Sequence, residues 1–392
     1  MALRLVSSTP QPMKPIHAIA LAAVCAALAS CIKQEAPNAE CDILAVDTAW
    51  VTQHRSVIIG EPIVTNDHVS FNIQKGTDRS AFAPRFILTP GATISPANGT
   101  SRDFSTPQTY TVNSEDGQWQ KAYAVSFNFP QPITTCSFEH YELDKSGRYN
   151  VWYEVDAADT ENPRRDYWSS GNAGYAMTGM ATQANGYPTS AVSVGYKGNG
   201  VRLTTLATGS FGENLPDPMP IAAGSIFIGE FRTAYATLYP RRATRFGLQL
   251  VGGRPLYLEG YYKYTAGPTV IDKYKNVLTD RRDSADIYAV VYEVDPTAFV
   301  PLNGDDVLTS DRIVAMARID DPGEPADWTH FKEPFRLRNG KTFNEERLKD
   351  DGYAIAIVAT SSRAGAYFEG AVGSTLYIDE LHIVWEGDDE EE

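Results

Sequence analysis

The chain has 392 residues, with 34 Lys and Arg against 49 Asp and Glu, for a formal net charge of −15. A balance this acidic lacks the basic footprint of a nucleic-acid binder, and it repels anionic polymers while leaving neutral sugars unaffected. The length suits two domains or one large one.

The N-terminus predicts an exported, lipid-anchored protein. Lys14 supplies a positive n-region, and residues 16–28 form an apolar h-region too short to cross a bilayer as a helix. Leu28-Ala29-Ser30-Cys31 then reads as a lipobox: small residues ahead of a cysteine that is acylated once the leader (1–30) is removed. The expectation is a lipoprotein tethered to a bilayer through Cys31, at the outer membrane or cell surface. Of the four cysteines, Cys25 leaves with the leader and Cys31 takes lipid. Cys41 and Cys136 flank the first predicted domain near opposite poles, too far apart for the roughly 4.4–6.8 Å Cα separation of a disulfide, and are expected as free thiols.

Residues 31–40 are polar and aperiodic, as in a tether. From Cys41 the chain is strand-like: 56–59, 68–73 and 85–88 are short β-favouring runs broken by Pro, Gly, Asn and Asp. Asp116-Gly117 between the runs 110–113 and 120–127 is a hairpin signal. The strand density over 41–130 predicts an immunoglobulin-like β-sandwich, ended by Phe129-Pro130-Gln131-Pro132.

A larger β-rich region follows over 135–386, with strands at 149–155, 201–206, 225–231, 256–264, 286–294, 312–319, 353–360 and 375–385. Helical signal is confined to 344–348. Many antiparallel strands without an internal repeat predict a β-sandwich jelly roll, so the chain is all-β. Gly195, Gly198 and Gly200 mimic a phosphate loop but lack the Lys-Ser/Thr it needs, and are assigned to a hairpin turn. The acidic stretch 387–392 closes the chain as a solvated tail.

No GxSxG, HExxH or CxxC signature occurs. Sugar recognition instead needs flat apolar faces for pyranose rings and a few planar hydrogen-bonding groups. Strand alternation over Glu259-Gly-Tyr-Tyr-Lys-Tyr264 puts Glu259, Tyr261 and Lys263 on one face and Tyr262 and Tyr264 on the other. The mixed face faces either a pocket or solvent with a cross-strand ion pair. Trp168, Asn172 and Tyr175 occupy a Ser/Gly-rich loop, a usual place for recognition. Tyr288 sits on a strand that otherwise reads as core, and Arg363 precedes Ala364-Gly365-Ala366, where small residues let a ligand approach the backbone. Hydrolysis would need two facing carboxylates, and Glu230, Glu293 and Glu369 are candidates because apolar or small neighbours could desolvate them. Asp280, Asp283 and Asp286 do not match an EF-hand spacing and read as a solvated loop.

Four segments resemble the putative carbohydrate metabolism domain family of lipoproteins from glycan-degrading bacteria: Tyr167-Trp-Ser-Ser-Gly-Asn172-Ala-Gly-Tyr175, Gly260-Tyr-Tyr-Lys-Tyr264, Asp286-Ile-Tyr-Ala-Val-Val-Tyr-Glu293 and Phe368-Glu-Gly-Ala-Val-Gly-Ser-Thr-Leu-Tyr-Ile-Asp-Glu380. The resemblance covers about 135–386 and implies a jelly roll with a glycan pocket on a concave sheet. The sandwich ahead of it is similar to the module that often precedes this domain. Carbohydrate-binding jelly rolls also imply a structural Ca2+ held by an opening Glu and a closing Asp, which here are Glu139 and Asp379. The expected function is glycan binding, with a glycoside hydrolase or an adhesin-type structural protein as alternatives.

Overall fold

The computed structural model describes residues 37–74, 77–129, 135–156, 159–165, 167–247, 249–296 and 298–387. The leader, Cys31 and residues 388–392 of the tail lie outside the described residues. No described helix is long and apolar enough to cross a membrane.

The first unit is a sandwich. A five-stranded sheet runs in the order 58–64, 68–73, 120–128, 108–113 and 93–95, opposed by the pair Ile43–Val46 and Phe86–Leu88. Asp116-Gly117 turns the hairpin between Gln108–Asn113 and Gln120–Asn128, as its composition predicts. Strands 68–73 and 120–128 are parallel, in a register that pairs Phe71 with Phe127 and stacks their rings at 4.3 Å. One short helix, Thr48–Gln53, was not anticipated. Asp47 caps it by accepting from the Ala49 and Trp50 amides, and its packing face supplies the buried Trp50 and Val51.

The second unit is a jelly-roll sandwich of two antiparallel sheets. The smaller sheet is ordered 189–192, 200–204, 375–385, 255–265 and 329–334. The larger runs 302–303, 244–246, 225–231, 353–360, 286–293, 313–318 and 336–337, with 168–170 added beside 225–231. Leu258, Tyr262, Tyr264, Leu376 and Ile378 from one sheet meet Ile226, Ile287, Ala289, Ile355 and Ile357 from the other in the main core. Gly260 is required where the ladder bulges: two residues, Glu380 and Leu381, oppose it, and a Cβ there would press on both. Asn344 caps the helix Glu345–Lys349, where the only helical signal was read.

The central strands of the larger sheet are buried on both faces. In Asp286–Glu293 the odd residues Ile287, Ala289 and Val291 enter the main core, while Tyr288, Val290 and Tyr292 join a second cluster with Phe227, Phe246, Leu302 and Val358. An uninterrupted apolar run is what such two-sided burial demands. The outer face of this sheet is therefore covered rather than solvated, and the cover is incomplete.

Cys41 and Cys136 are both free; Cys136 is buried in the second unit, paired across to strand 375–385.

Candidate functional site

The gap in that cover is a cavity of about 340 Å³ on the outer face of the larger sheet. Register builds its floor. Phe227, Val358, Tyr288 and Arg318 form one row across four strands, and Ser225, Thr360 and Asp286 form the row beside it. Phe231 and Phe246 extend the apolar floor, and Tyr175 enters from the short helix Asn172–Tyr175. The loop 361–369 contributes Arg363, Tyr367 and Phe368. The volume is at the small end of ligand sites, so the cavity suits a short stretch or the end of a larger molecule.

Most of the lining is apolar, and its charged side chains are two aspartates and two arginines, Asp286 with Arg363 and Asp305 with Arg241. Asp286 is 2% exposed and accepts from Arg318 through Nε and Nη2, both at 2.8 Å. Arg363 Nε lies 3.6 Å from Asp286 Oδ1, the oxygen that also accepts from Arg318 Nε. Burial pushes the Asp286 carboxyl above its ordinary range while both guanidiniums pull it down. The Tyr288 hydroxyl has no hydrogen-bond partner among the described residues, and burial beside Asp286 pushes its pKa up, so it stays a neutral donor. A planar carboxylate, a planar guanidinium and a phenol on a rigid sheet next to aromatic walls can grip hydroxyl pairs and pack against C–H faces.

Of the residues expected from sequence, Tyr175, Tyr288 and Arg363 line this cavity. Trp168 is packed in the main core with Nε1 donating to Glu154 at 2.8 Å. Asn172 is fully buried, where its amide bridges the backbone of Thr189. Both are interior ties. Glu259, Tyr261 and Lys263 share one face, as alternation requires, on the outer side of the smaller sheet. There Lys332 approaches Glu259 at 3.5 Å, Tyr196 stacks on Tyr261 at 3.5 Å, and Lys263 sits over Tyr377. This face carries a cross-strand ion pair and stacked aromatic rings, and it does not line the cavity.

The three carboxylates proposed for hydrolysis are not brought together. Glu230 pairs with Arg232 and Arg245 at 3.1 and 3.0 Å. Glu293 ends its strand against Lys341, and Glu369 is held by Arg281. None of the three lines the cavity. The solvated-loop reading of Asp283 and Asp286 is overturned: Asp283 is 9% exposed, and Asp286 begins a buried strand. Sequence reasoning passed over Asp286, Thr360, Phe227 and Phe231 as site residues. One signal was available, an aspartate opening a strand that is otherwise uniformly apolar.

Glu139 and Asp379 converge on the turn between strands 189–192 and 200–204. Glu139 accepts from the Asn199 amide at 3.1 Å; Asp379 accepts from the amides of Lys197 and Glu380 at 2.9 and 2.8 Å. A Cβ on Gly198 would overlap the Glu139 carboxylate, so the turn closes only around glycine. Calcium takes about six to eight oxygen ligands. Among the described residues no third His, Cys, Asp or Glu joins these two. Backbone amides of Lys197, Asn199 and Glu380 donate to the two carboxylates, which clasp the turn to the opening segment and the last strand of the unit.

Burial raises the Asp379 carboxyl to about 6 against the pull of its amide donors. The folded chain then holds the proton more tightly than the unfolded one. The stabilisation is complete below the unfolded pKa and is lost as pH rises through about 6, up to about 3 kcal/mol. Relative to the parent, Asp379→Asn is expected to gain unfolding free energy between about pH 4 and pH 7, measured by urea titration. A pH-independent difference would refute the protonated clasp. Melting with EDTA is expected to leave the parent unchanged, and a drop would bring calcium into the site.

The fold defines an all-β protein in which a jelly roll, preceded by an immunoglobulin-like sandwich, carries a cavity on one covered sheet. Residues 137–384 match the family model described as putative carbohydrate metabolism domain, and the chain belongs to that family. Residues 55–126 match the model described as SGBP, N-terminal. A Bacteroides thetaiotaomicron protein, whose crystal structure is described as that of a putative glycoside hydrolase, is 41% identical, with a TM-score of 0.76, over 91% of this chain and 100% of that one. A Bacteroides vulgatus protein of the same description is 36% identical, with a TM-score of 0.59, over 66% of this chain and all of that one. No curated protein of known function matches the chain.

Proposed function

We propose that this protein captures glycans in the cavity of its jelly roll, as a lipoprotein held at the outer membrane through Cys31, with the first sandwich as a spacer. The observation that carries the reading is the cavity itself: aromatic walls ending in a carboxylate, a guanidinium and a phenol fixed on adjacent strands. The family is one of carbohydrate metabolism, which supplies the ligand class. An adhesin-type protein would need no such cavity.

Binding is favoured over hydrolysis by the state of the two acidic residues in the lining. Asp286 is held by Arg318 and approached by Arg363, and Asp305 is held by Arg241 and Arg242, both at 2.9 Å. Neither is free to serve as nucleophile opposite the other. Hydrolysis stays as the second reading because Asp286 is buried with a raised pKa, as a general acid requires, and both relatives are described as putative glycoside hydrolases.

The test is an affinity-gel and calorimetric screen of neutral and acidic oligosaccharides, followed by reducing-sugar release on each hit. Asp286→Asn is expected to weaken binding about tenfold, the loss of one charge-assisted hydrogen bond, with no sugar released by the parent. Turnover by the parent that Asp286→Asn abolishes would establish the hydrolase instead. Cys31→Ala is expected to move the protein from the detergent phase to the aqueous phase, and retention in detergent would refute the anchor.

A further inference from the structure

On the side of the sandwich opposite the cavity, the outer face of the smaller sheet collects aromatic rings. Along Pro255–Thr265 the outward side chains are Tyr257, Glu259, Tyr261 and Lys263, and Tyr377 stands across the ladder from Lys263. Cross-strand bracing accounts for these. It does not account for two rings that arrive from outside the sheet. Tyr196, in the turn between strands 189–192 and 200–204, lies flat on Tyr261, with ring centres 3.5 Å apart and planes 9° apart. Trp328, just ahead of Thr329–Pro334, meets both Tyr196 and Tyr377 edge to face at 6.4 Å. None of these five rings packs into the hydrophobic cores: Tyr196 is 47% exposed, and the other four are half-buried. Aromatic area is among the most favourable to bury, so a braced group of rings left at the surface marks a contact face.

The rings are held in place. The turn that carries Tyr196 is clasped by Asp379 and Glu139 through the amides of Lys197 and Asn199. Lys263 Nζ sits over the rings of Trp328 at 5.2 Å and Tyr377 at 4.6 Å, which fixes it between them. The charges beside the rings are met locally. Lys332 and His330 lie 3.5 and 3.8 Å from Glu259, and Lys197 lies 3.8 Å from Glu380. Arg202 donates to Ser190 Oγ and to the Asn185 carbonyl. Fixed rings among locally matched polar groups suit a neutral partner with flat C–H faces and many hydroxyls. Tyr257 and Tyr261 are four residues apart on one strand, about 13 Å at the usual rise, so the row is longer than one sugar ring.

We propose that this face is a second carbohydrate surface, an open platform along which a neutral polysaccharide chain lies, with Tyr196 and Trp328 as stacking rings and Glu259 and Lys263 as partners for its hydroxyls. It goes beyond the cavity and shares with it only the ligand class that the family supplies. The platform takes the side of a long chain, where the cavity takes a short stretch or an end.

The test is affinity electrophoresis of the full chain through gels cast with xylan, galactan, mannan or β-glucan. The expected result is retardation by at least one of them, with the affinity lowered about tenfold in Tyr196→Ala and in Trp328→Ala and kept in Tyr196→Phe, which retains the ring. Melting temperatures of the variants check the fold, and Tyr196→Phe separates loss of the ring from loss of the hydroxyl. The cavity is scored apart, by calorimetry of short oligosaccharides with Asp286→Asn. Retardation by none of the four polymers overturns the platform and leaves the cavity reading standing. So does retardation that both alanine variants keep and Asp286→Asn abolishes. Sedimentation of the unliganded chain addresses the other occupant: a dimer that Tyr196→Ala dissociates assigns the rings to a second copy of this chain and overturns the carbohydrate assignment.

Discussion

Asp283→Ala is expected to lower the unfolding free energy by about 4 kcal/mol, the largest single effect of any polar residue in the jelly roll, and to abolish ligand binding with it. One Asp283 oxygen accepts three hydrogen bonds, from Ser362 Oγ at 2.6 Å, Ser374 Oγ at 2.7 Å and the Ala371 amide at 2.7 Å; the other accepts from the Ser284 amide at 2.9 Å. These partners bracket the segment that supplies Arg363, Tyr367 and Phe368 to the cavity. Ser362 and Ser374 are fully buried, so alanine takes the acceptor from the Ser374 hydroxyl and the Ala371 amide and leaves the Ser362 hydroxyl only Thr205 Oγ1. Asp283→Asn keeps one good acceptor and is expected to lose about half as much, since its amide group faces donors on the other side. Chemical denaturation checks both, and an alanine variant within about 1 kcal/mol of the parent would remove Asp283 as the anchor of the wall.

The second large effect is a pH dependence centred on Glu154. It is 8% exposed between the sheets and accepts from Trp168 Nε1. Burial raises its carboxyl to about 7, outweighing the Trp168 and Ser137 donors that stabilise the charged form. A folded pKa above the unfolded value means the folded state binds the proton more tightly. Glu154 therefore supports the fold fully below about pH 4.5, and that support, about 3 kcal/mol, is lost as pH rises through about 7. Glu154→Gln holds the neutral form at every pH. Relative to the parent, it is expected to gain stability steadily from about pH 4.5 to pH 8, with the parent falling behind by about 3 kcal/mol at the top of the range. Parallel stability curves for the two proteins would show that Glu154 is charged throughout. Cys136 shares this pocket and its thiol is pushed well up by burial, so it stays protonated over the same range.

Most strands of the jelly roll were legible because periodicity is a local property. Asp286–Glu293 and Tyr353–Thr360 read as buried runs, and Pro255–Thr265 as an alternating strand with its faces correctly sorted. The Asp116-Gly117 hairpin and the short helical turn at 344–348 were equally local. The short elements over the outer sheet face were not. Asn172–Tyr175 and Gly209–Glu213 are helices of four and five residues without a side-chain cap bond, held by tertiary packing.

The candidate site was legible only in fragments. Glu230 has apolar neighbours in sequence, which argued for desolvation, but Arg232 beside it and Arg245 on the paired strand neutralise it. Asp283 lies among charged residues and reads as solvated; its buried donors come from 79 to 91 positions further along the chain.

By itself the sequence determined the all-β class, the order of the strands, the family and which side chains share a strand face, since each follows from spacing along the chain. Tertiary structure alone decided which face would be covered and which carboxylate would stand at the cavity. Asp286, Thr360, Phe227 and Arg363 become neighbours through ladder register and loop closure, and the field that sets a carboxylate's charge belongs to the groups gathered around it in space.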